Sequence, residues 1–270
     1  MDKILVTGTS SGLGRYLMEE FKGIPFHRTE IEKELKDHCQ HYYDAIIHCA
    51  ADTRNTIPPD DLWHYYQSNI ELTRTLTKIP HVLFVYISSP AVYPYSFTKN
   101  SETDIPNFPV CNPIVIHHTY HLYGLFKLLS EQIVSRNTRT SLILRCASIV
   151  GRTSRLNTNI IKVLTSNPSS LTLRAESSYN LVSMNQIKRF IELSLAQKIT
   201  GIFNTGSTQS ATLGEIAQAV GSRPQFGIFL HNVHRMDTSK IRSYSEDFNK
   251  SSLEIAKEFA NSIKIGQPTN

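Results

Sequence analysis

A tyrosine and a lysine four residues apart, Tyr123 and Lys127, are the side chains with the clearest capacity for chemistry. On a helix, residues at this spacing share one face, and an ammonium beside a phenol favours the phenolate and lowers the phenol pKa toward a range useful for acid–base catalysis. A second pair with the same spacing, Tyr95 and Lys99, follows Pro94 in a long polar segment and is interpreted as a loop pair. Tyr123 instead begins an amphipathic stretch, so it is the better candidate for acid–base chemistry.

A glycine-rich run, TGTSSGLG at residues 7–14, lies between a short apolar run and a stretch with helical spacing. In such a turn Gly8 would permit the tight bend, Gly12 the close approach of backbone to a pyrophosphate, and Gly14 close packing of helix on strand. An ordinary strand-to-helix turn is the alternative interpretation. The residues predicted to bind a dinucleotide here are Gly8, Ser10, Ser11, Gly12, Leu13 and Gly14.

Arg28 stands where the second strand is expected to end, about twenty residues beyond the glycine run. A guanidinium there suits a ribose 2′-phosphate, so NADP is preferred over NAD as the predicted cofactor. Glu30 would reverse this preference if the strand ends two residues later. Alternatively, Arg28 is a solvated charge at the end of the strand. Another polar group, Ser89, ends the apolar run 82–87, where a hydroxyl could hydrogen-bond a substrate oxygen.

Strands and helices must place these groups together, and the sequence predicts both in alternation. Short apolar runs at 4–6, 24–27, 44–48, 82–87 and 141–145 alternate with helical patterns, including 59–79 and 119–136. This order predicts an α/β fold with a doubly wound parallel (Rossmann) sheet. We expect residues 1–150 to form the dinucleotide-binding core. Residues 151–270 are expected to form a smaller, irregular substrate-binding part packed on it, without an independent linker.

Composition narrows the class of partner. Lys and Arg number 28 against 23 Asp and Glu, and no basic run is present, so nucleic-acid binding is not expected. The four cysteines form no C-x-x-C pair, which indicates a reducing compartment, and no apolar run reaches the length of a membrane span. A cytoplasmic protein acting on a small molecule is predicted. His117, His118 and His121 have no carboxylate or thiolate spaced with them, so no metal is predicted.

The order of the motifs resembles the extended short-chain dehydrogenases/reductases, the nucleotide-sugar epimerase/dehydratase group. The resemblance extends from residue 3 to about residue 243, where Asp237-x-Ser-Lys resembles a late element of that group. It is carried by TGTSSGLG, DAIIHCAA (44–51), FVYISSPAVY (84–93), Tyr123-x-x-x-Lys127, LILRCASIVG (142–151) and IFNTGSTQSATLGEIA (202–217).

The resemblance implies roles for individual residues and a chemistry of hydride transfer between nicotinamide and a sugar carbon. Ser89 would be the catalytic serine, Tyr123 the general acid/base, and Lys127 the group that holds the ribose and stabilises the phenolate. Further cofactor contacts are implied at Ala50, Ala51, Asn69, Cys146 and Ser148, and contacts to a nucleotide diphosphate at Asn157 or Asn159 and at Arg235.

Departures from the group's pattern refine the expected reaction. The dehydratases of the group carry Asp and Glu at the positions of Pro90 and Ala91, so water elimination is not expected. Ala91 also stands at the position where another enzyme of the group carries the cysteine that it uses for epimerisation by deprotonation. Reduction of a keto-sugar nucleotide is therefore favoured over 4-epimerisation through a transient ketone. A dinucleotide-sensing binding protein without turnover is the third hypothesis. The helices expected at 59–79 and 119–136 resemble those that form homodimers in this family.

Overall fold

The computed structural model describes residues 3–54, 57–93, 98–104, 118–165, 169–233 and 235–265. Its strands are β1 Ile4–Thr7, β2 Ile24–Phe26, β3 Tyr43–His48, β4 His81–Ser88, β5 Ser141–Cys146, β6 Ser148–Val150, β7 Ser178–Tyr179, β8 Leu181–Ser183, β9 Gly201–Thr205 and β10 Ala211–Thr212. Its α-helices are α1 Gly12–Phe21, α2 Ile31–His38, α3 Leu62–Tyr66, α4 Leu72–Leu76, α5 His118–Asn137, α6 Asn159–Thr165, α7 Met184–Gln197, α8 Leu213–Val220, α9 Ser239–Arg242 and α10 Ser252–Ile265.

Six parallel strands form the central sheet in the order β2-β1-β3-β4-β5-β9. The order runs outward from β1 in both directions, as parallel strands joined by helical crossovers require. The predicted doubly wound α/β fold is therefore confirmed.

Alternate residues of each strand enter two cores on opposite faces of the sheet. Val6 and Val85 pack with the apolar faces of α1 and α7, whereas Leu5 and Phe84 pack with α4 and α5. A strand buried on both faces has apolar residues without alternation, which explains the continuous runs in the sequence. The loops that follow the strands lie along the edge of the sheet where the strands end.

The remaining chain forms a smaller unit with its own core, built from α6, α8 and α10 around two short two-stranded sheets, β6-β8 and β7-β10. The division expected at residue 150 differs from the observed one, because α7 and β9 return to the central sheet. Residues 201–204 were expected to be an extended piece of the irregular part. Their pairing with β5 is non-local, and a short strand carries no local signal of its partner.

The helical segment expected at 59–79 is interrupted. A 3-10 turn, Pro59–Asp61, precedes α3, and the π-helical turn Gln67–Glu71 separates α3 from α4. Among the described helices, none has the length and apolar character needed to cross a bilayer. Tyr95 and His117 lie outside the described residues, as do the side chains of His118 and His121.

Candidate active site

A cleft of about 660 Å³ lies along the carboxyl ends of the central strands. This volume is within the range of small-molecule sites, and the location is where doubly wound sheets bind ligands. The cleft gathers the glycine turn, the ends of β2, β3 and β4, and the start of α5. Of the residues predicted to contact ligands, those that line it are Gly8, Ser10, Ser11, Gly12, Leu13, Gly14, Arg28, Ala50, Ala51, Ser89, Tyr123, Lys127 and Cys146.

The glycine turn is tightly packed at Gly8 and Gly14 and open at Gly12. Gly8 has a φ of 73° and its backbone passes so close to Ala50 that a Cβ would lie 2.8 Å from the Ala50 nitrogen. A Cβ on Gly14 would overlap the Gly8 carbonyl oxygen, so helix α1 packs directly on the turn. At Gly12, with a φ of 61°, a Cβ would meet nothing within 4 Å. That space is therefore available to a ligand.

Helix α1 begins at this turn without a side-chain cap, since the Ser11 side chain accepts no hydrogen bond from the first turn. The Gly12 N–H is not directed to a ligand, because it donates to the Thr153 carbonyl oxygen at 2.9 Å. Any anion would therefore be bound by the next N–H groups of the first turn, those of Leu13 and Gly14. These residues fit the pyrophosphate of a dinucleotide.

Lys127 is buried, and it is one of the residues that line the cleft. Its ammonium donates to the Ile87 carbonyl oxygen at 2.8 Å and lies 4.8 Å from the Tyr86 ring centroid and 5.9 Å from that of Tyr123. Burial lowers the pKa of Lys127 to about 8, so the ammonium is desolvated yet charged at neutral pH. Lys127 therefore places a desolvated positive charge beside the Tyr123 ring.

Ser89 and Tyr123 are brought together by a close contact between their elements. Ser89 caps the 3-10 turn Pro90–Val92 by accepting from the Ala91 N–H at 3.2 Å, which leaves its own O–H to donate. A Cβ on Gly124 would overlap the Ala91 carbonyl oxygen, so only glycine after Tyr123 lets α5 approach this turn. The Tyr-Gly dipeptide was therefore a signal of the site that sequence analysis did not use.

The adenosine end of the cleft contains Arg28, beside His27 and Phe26. Arg28 does not end the strand but begins the 3-10 turn Arg28–Glu30, and one of its guanidinium nitrogens lies 3.4 Å from the Ser68 hydroxyl. Glu30 pairs with Lys33 at 2.8 Å instead of facing the cleft wall, and it is not one of the residues lining the cleft. The arrangement presents a cation, and not a carboxylate, to that end of the site.

Two predicted cofactor contacts, Asn69 and Ser148, are not among the residues that line the cleft. Asn69 lies behind the wall, where its side chain accepts from the Asp52 N–H at 3.1 Å and donates to the Tyr65 carbonyl oxygen at 3.0 Å. Ser148 is in β6, and its neighbours Ala147 and Ile149 contribute to the lining instead. In both cases the segment borders the cleft, but residues other than the predicted one line it.

The three residues predicted to bind a nucleotide diphosphate also stand outside the cleft lining. The Asn159 side chain is hydrogen-bonded to Thr172: its oxygen accepts from the Thr172 N–H at 2.9 Å, and its amide group donates to the Thr172 hydroxyl at 3.0 Å. Asn157 is exposed on the same segment, and Arg235 is exposed with its carbonyl oxygen accepting from the Asn100 N–H at 2.9 Å.

A segment that sequence analysis missed closes the phosphate side of the cleft. Thr153 donates through its hydroxyl to the Gly12 carbonyl oxygen at 2.8 Å, and the Arg155 guanidinium lies 3.3 Å from the Ser11 hydroxyl. Ser154, Arg155 and Thr158 line the cleft. The segment belongs to the smaller unit and reaches the glycine turn only through tertiary packing, so no local pattern marks it.

A doubly wound parallel sheet with a glycine turn after β1 and a tyrosine–lysine helix at the same edge defines a dinucleotide-binding fold of the short-chain dehydrogenase type. The model of the NAD dependent epimerase/dehydratase family matches residues 22–173, more than half of the 270-residue chain, and the chain belongs to this family. A comparison with curated protein sequences gives no significant match.

Solved structures of similar fold cover nearly the whole chain. UDP-glucuronic acid 4-epimerase from Bacillus cereus, in complex with UDP-glucuronic acid and NAD, superposes with a TM-score of 0.72 at 20% identity, covering 97% of this chain and 99% of that one. The dTDP-4-dehydrorhamnose reductase from Yersinia enterocolitica superposes with a TM-score of 0.74 at 18% identity and the same coverage. At these identities the likeness establishes the fold.

Proposed function

We propose that this protein is an NAD(P)-dependent oxidoreductase that reduces the carbonyl group of a keto-sugar nucleotide. The observation that carries the proposal is that Ser89, Tyr123 and Lys127 line the same cleft as the glycine turn. A hydroxyl, a phenol and a desolvated ammonium at that position are the groups needed to protonate and stabilise a carbonyl oxygen as it is reduced.

The chain's own residues account for the proton in this reaction. Tyr123 donates its hydroxyl proton to the substrate oxygen, and the resulting phenolate is stabilised by the Lys127 ammonium. Ser89 donates a hydrogen bond to the same oxygen while negative charge develops on it. When bound, the nicotinamide supplies the hydride to the carbonyl carbon. Ala91 and Pro90 offer no acid or base beside Ser89, which agrees with reduction and not with dehydration.

The second candidate is 4-epimerisation of a nucleotide sugar through a transient ketone. It is favoured by the similarity in fold to 4-epimerases such as that of Bacillus cereus, whose structure contains UDP-glucuronic acid and NAD. The same tyrosine and lysine would serve both reactions. An epimerase returns the hydride to its own substrate and often retains its dinucleotide, so a nicotinamide absorbance band in freshly purified protein would favour this candidate.

NADP is the preferred cofactor in this proposal, with Arg28 as the residue that binds the 2′-phosphate. The support is its position in the cleft lining next to His27. We expect Arg28→Ala to weaken NADPH binding about tenfold, as the loss of a charge-assisted hydrogen bond predicts, while NADH binding changes little. Equal losses for both dinucleotides would reject the assignment of Arg28, and tighter binding of NADH by the unmodified protein would reject the NADP preference.

Turnover distinguishes an enzyme from a dinucleotide-sensing protein. NADPH oxidation is measured with a series of keto-sugar nucleotides for the unmodified protein, for Tyr123→Phe, and for Tyr42→Phe, which removes a hydroxyl from a residue 63% exposed at the amino end of β3. We expect Tyr123→Phe to lower kcat about 100-fold or more and Tyr42→Phe to leave it unchanged. NADPH binding without turnover by any substrate, together with an unaltered Tyr123→Phe protein, would favour the sensor.

A homodimer formed through α3 and α5 is part of the proposal. Large apolar side chains are exposed on these helices, with Leu62 and Trp63 on α3 and Leu125 and Leu129 on α5. Leu129→Glu should shift the mass measured by light scattering from dimer to monomer, whereas Ile228→Glu, at an exposed position of the smaller unit, should not.

A cytoplasmic location is proposed from the free thiols of Cys39, Cys49 and Cys146, and cell fractionation tests it.

A further inference from the structure

A chain of buried hydrogen bonds runs beneath the cleft from β1 to the π-helical turn. The Thr7 hydroxyl lies 2.8 Å from Nδ1 of His48, and Nε2 of His48 lies 2.9 Å from the Thr73 hydroxyl. The Thr73 hydroxyl in turn donates to the Asn69 carbonyl oxygen at 2.8 Å. All four residues are less than 7% exposed, so we expect their donors and acceptors to be paired within the protein.

The positions of the protons in this chain follow from counting. Thr73 has one hydroxyl proton, and it is used toward Asn69. Its oxygen can therefore only accept from His48, so Nε2 of the imidazole must carry a hydrogen. Since burial leaves this imidazole neutral, Nδ1 is then an acceptor and receives the Thr7 hydroxyl proton.

The hydrogen bonds of Thr7, at the other end of the chain, lead independently to the same tautomer of His48. The Thr7 oxygen accepts from two backbone groups, the Cys49 N–H at 3.2 Å and the Ala50 N–H at 3.0 Å. Both of its lone pairs are used, so its own proton must go to His48. An imidazolium would leave Thr7 facing three donors with two lone pairs, and burial, together with the charge of Lys127, lowers the pKa of His48 to about 3.

One end of this chain lies at the cleft, and the other end contacts α5. Ala50 lines the cleft and packs against Gly8 of the phosphate turn. The Asn69 carbonyl oxygen also accepts from the Ser130 hydroxyl at 3.0 Å, and Ser130 is on α5 less than one turn beyond Lys127. The Asn69 carbonyl oxygen has two lone pairs and accepts both hydroxyls. One hydrogen-bonded chain therefore joins the cofactor loops to the helix that carries the acid–base pair.

We propose that His48, as the neutral Nε2–H tautomer, and Thr73 are positioning residues that fix the loops after β1 and β3 relative to α5 for dinucleotide binding. The inference rests on the proposed function for its ligand and on the buried geometry for its residues. Neither side chain is among the residues that line the cleft, so both act through Thr7, Ala50 and Asn69.

The test combines a spectroscopic signature with a graded series of variants. In ¹⁵N-histidine-labelled protein, the long-range ¹H–¹⁵N correlations of His48 are assigned by their loss in His48→Gln. Dissociation constants of NADPH and NADH are then measured by fluorescence for Thr73→Val, Thr73→Ser and Thr77→Val. Thr77 is the matched control, because it is buried near the end of the same helix and its hydroxyl donates to the Arg74 carbonyl oxygen, away from the chain.

We expect a bare Nδ1 and a protonated Nε2 in the free protein at neutral pH. Thr73→Val should weaken dinucleotide binding about fivefold to tenfold, as loss of one buried hydrogen bond predicts, Thr73→Ser should restore it, and Thr77→Val should leave it unchanged. An Nδ1–H tautomer, an imidazolium, or equal effects of Thr73→Val and Thr77→Val would overturn the inference. If the unmodified protein binds neither dinucleotide, the proposed function fails as well, whereas binding unaffected by Thr73→Val rejects the positioning role alone.

Discussion

The Arg145 guanidinium and the Glu131 carboxylate form a two-point ion pair between β5 and α5, with N–O distances of 3.0 and 2.7 Å. Both side chains are 3% exposed or less. The carboxylate also accepts from the Ser88 hydroxyl at 2.5 Å, and the guanidinium donates to the Tyr93 hydroxyl at 2.7 Å. Glu131 follows Lys127 by one helical turn, so this pair anchors the helix of the candidate acid–base residues to the sheet.

Breaking this pair should destabilise the protein strongly. Glu131→Gln leaves the Arg145 cation buried without a counter-charge, and we expect the free energy of unfolding to fall by about 3–5 kcal/mol. Urea denaturation followed by circular dichroism measures the loss. The control is Arg189→Met, which removes the half-exposed pair with Asp247 and should change stability by less than about 1 kcal/mol. Equal losses in the two variants would contradict the role of the buried pair.

The space over Gly12 should be required for dinucleotide binding. Gly12→Ala places a methyl group where nothing lies within 4 Å, at a φ of 61°, and Gly221→Ala does the same at a φ of 73° at the end of α8, away from the cleft. Both variants should lose about 1 kcal/mol of stability from the left-handed backbone. Only Gly12→Ala should also lose NADPH binding, measured by fluorescence titration, because its methyl group occupies the space available to the pyrophosphate. Similar affinities in the two variants would contradict the phosphate site.

The Ser89 hydroxyl should contribute to turnover beyond its role as a cap. Ser89→Ala removes both functions, whereas Ser89→Thr retains the hydroxyl. We expect kcat for keto-sugar reduction to fall about 100-fold in Ser89→Ala and to be largely retained in Ser89→Thr, with the dissociation constant of NADPH unchanged in both.

The control for capping is Ser251→Ala, which removes the side chain that accepts from the Glu254 N–H near the start of α10, outside the cleft. Loss of this cap should reduce the free energy of unfolding by about 1 kcal/mol, and so lower the melting temperature, and should leave kcat unchanged. A Ser89→Ala protein that loses stability but keeps its kcat would show that Ser89 is a cap only.

Local patterns were sufficient to predict five of the six strands of the central sheet and the groups that follow them at the cleft. The apolar run before Ser89, the TGTSSGLG turn and the helical spacing from Tyr123 each identify their own element, and parallel strands bring their carboxyl ends to one edge. Ser89, Tyr123 and Lys127 all line the cleft. Their catalytic roles remain a prediction.

The parts that could not be predicted depend on which distant segment each residue meets. Thr153 contacts Gly12 across 141 positions, and Asn159 is bound by Thr172. Neither partner can be read from residues near it in sequence. Asn69, which the resemblance implied as a cofactor contact from a helix behind the site, lies in the π-helical turn Gln67–Glu71, and its side chain accepts from the Asp52 N–H, 17 positions away.

The Lys127 ammonium should set the upper pH limit of activity and leave a distinct signature in stability. Burial lowers the pKa of Lys127 to about 8, from 10.5 in the unfolded chain. Since the charged form stabilises the Tyr123 phenolate, kcat should fall as the pH rises through about 8. Stability should change in the opposite direction. Between about pH 8 and 10.5 the unfolded chain binds a proton that the folded protein does not, so the free energy of unfolding rises with pH by about 1.4 kcal/mol per pH unit.

The difference between the unmodified protein and Lys127→Met isolates this contribution, because the tyrosines and cysteines that titrate in the same range are common to both. Urea denaturation of the dinucleotide-free proteins from pH 7 to 10.5 should show Lys127→Met gaining stability relative to the unmodified protein at pH 7, by up to about 3 kcal/mol, and losing most of that gain by pH 10.5. A pH-independent difference would show that the Lys127 pKa is not lowered. Activity that stays constant to pH 10 would reject the requirement for its charge.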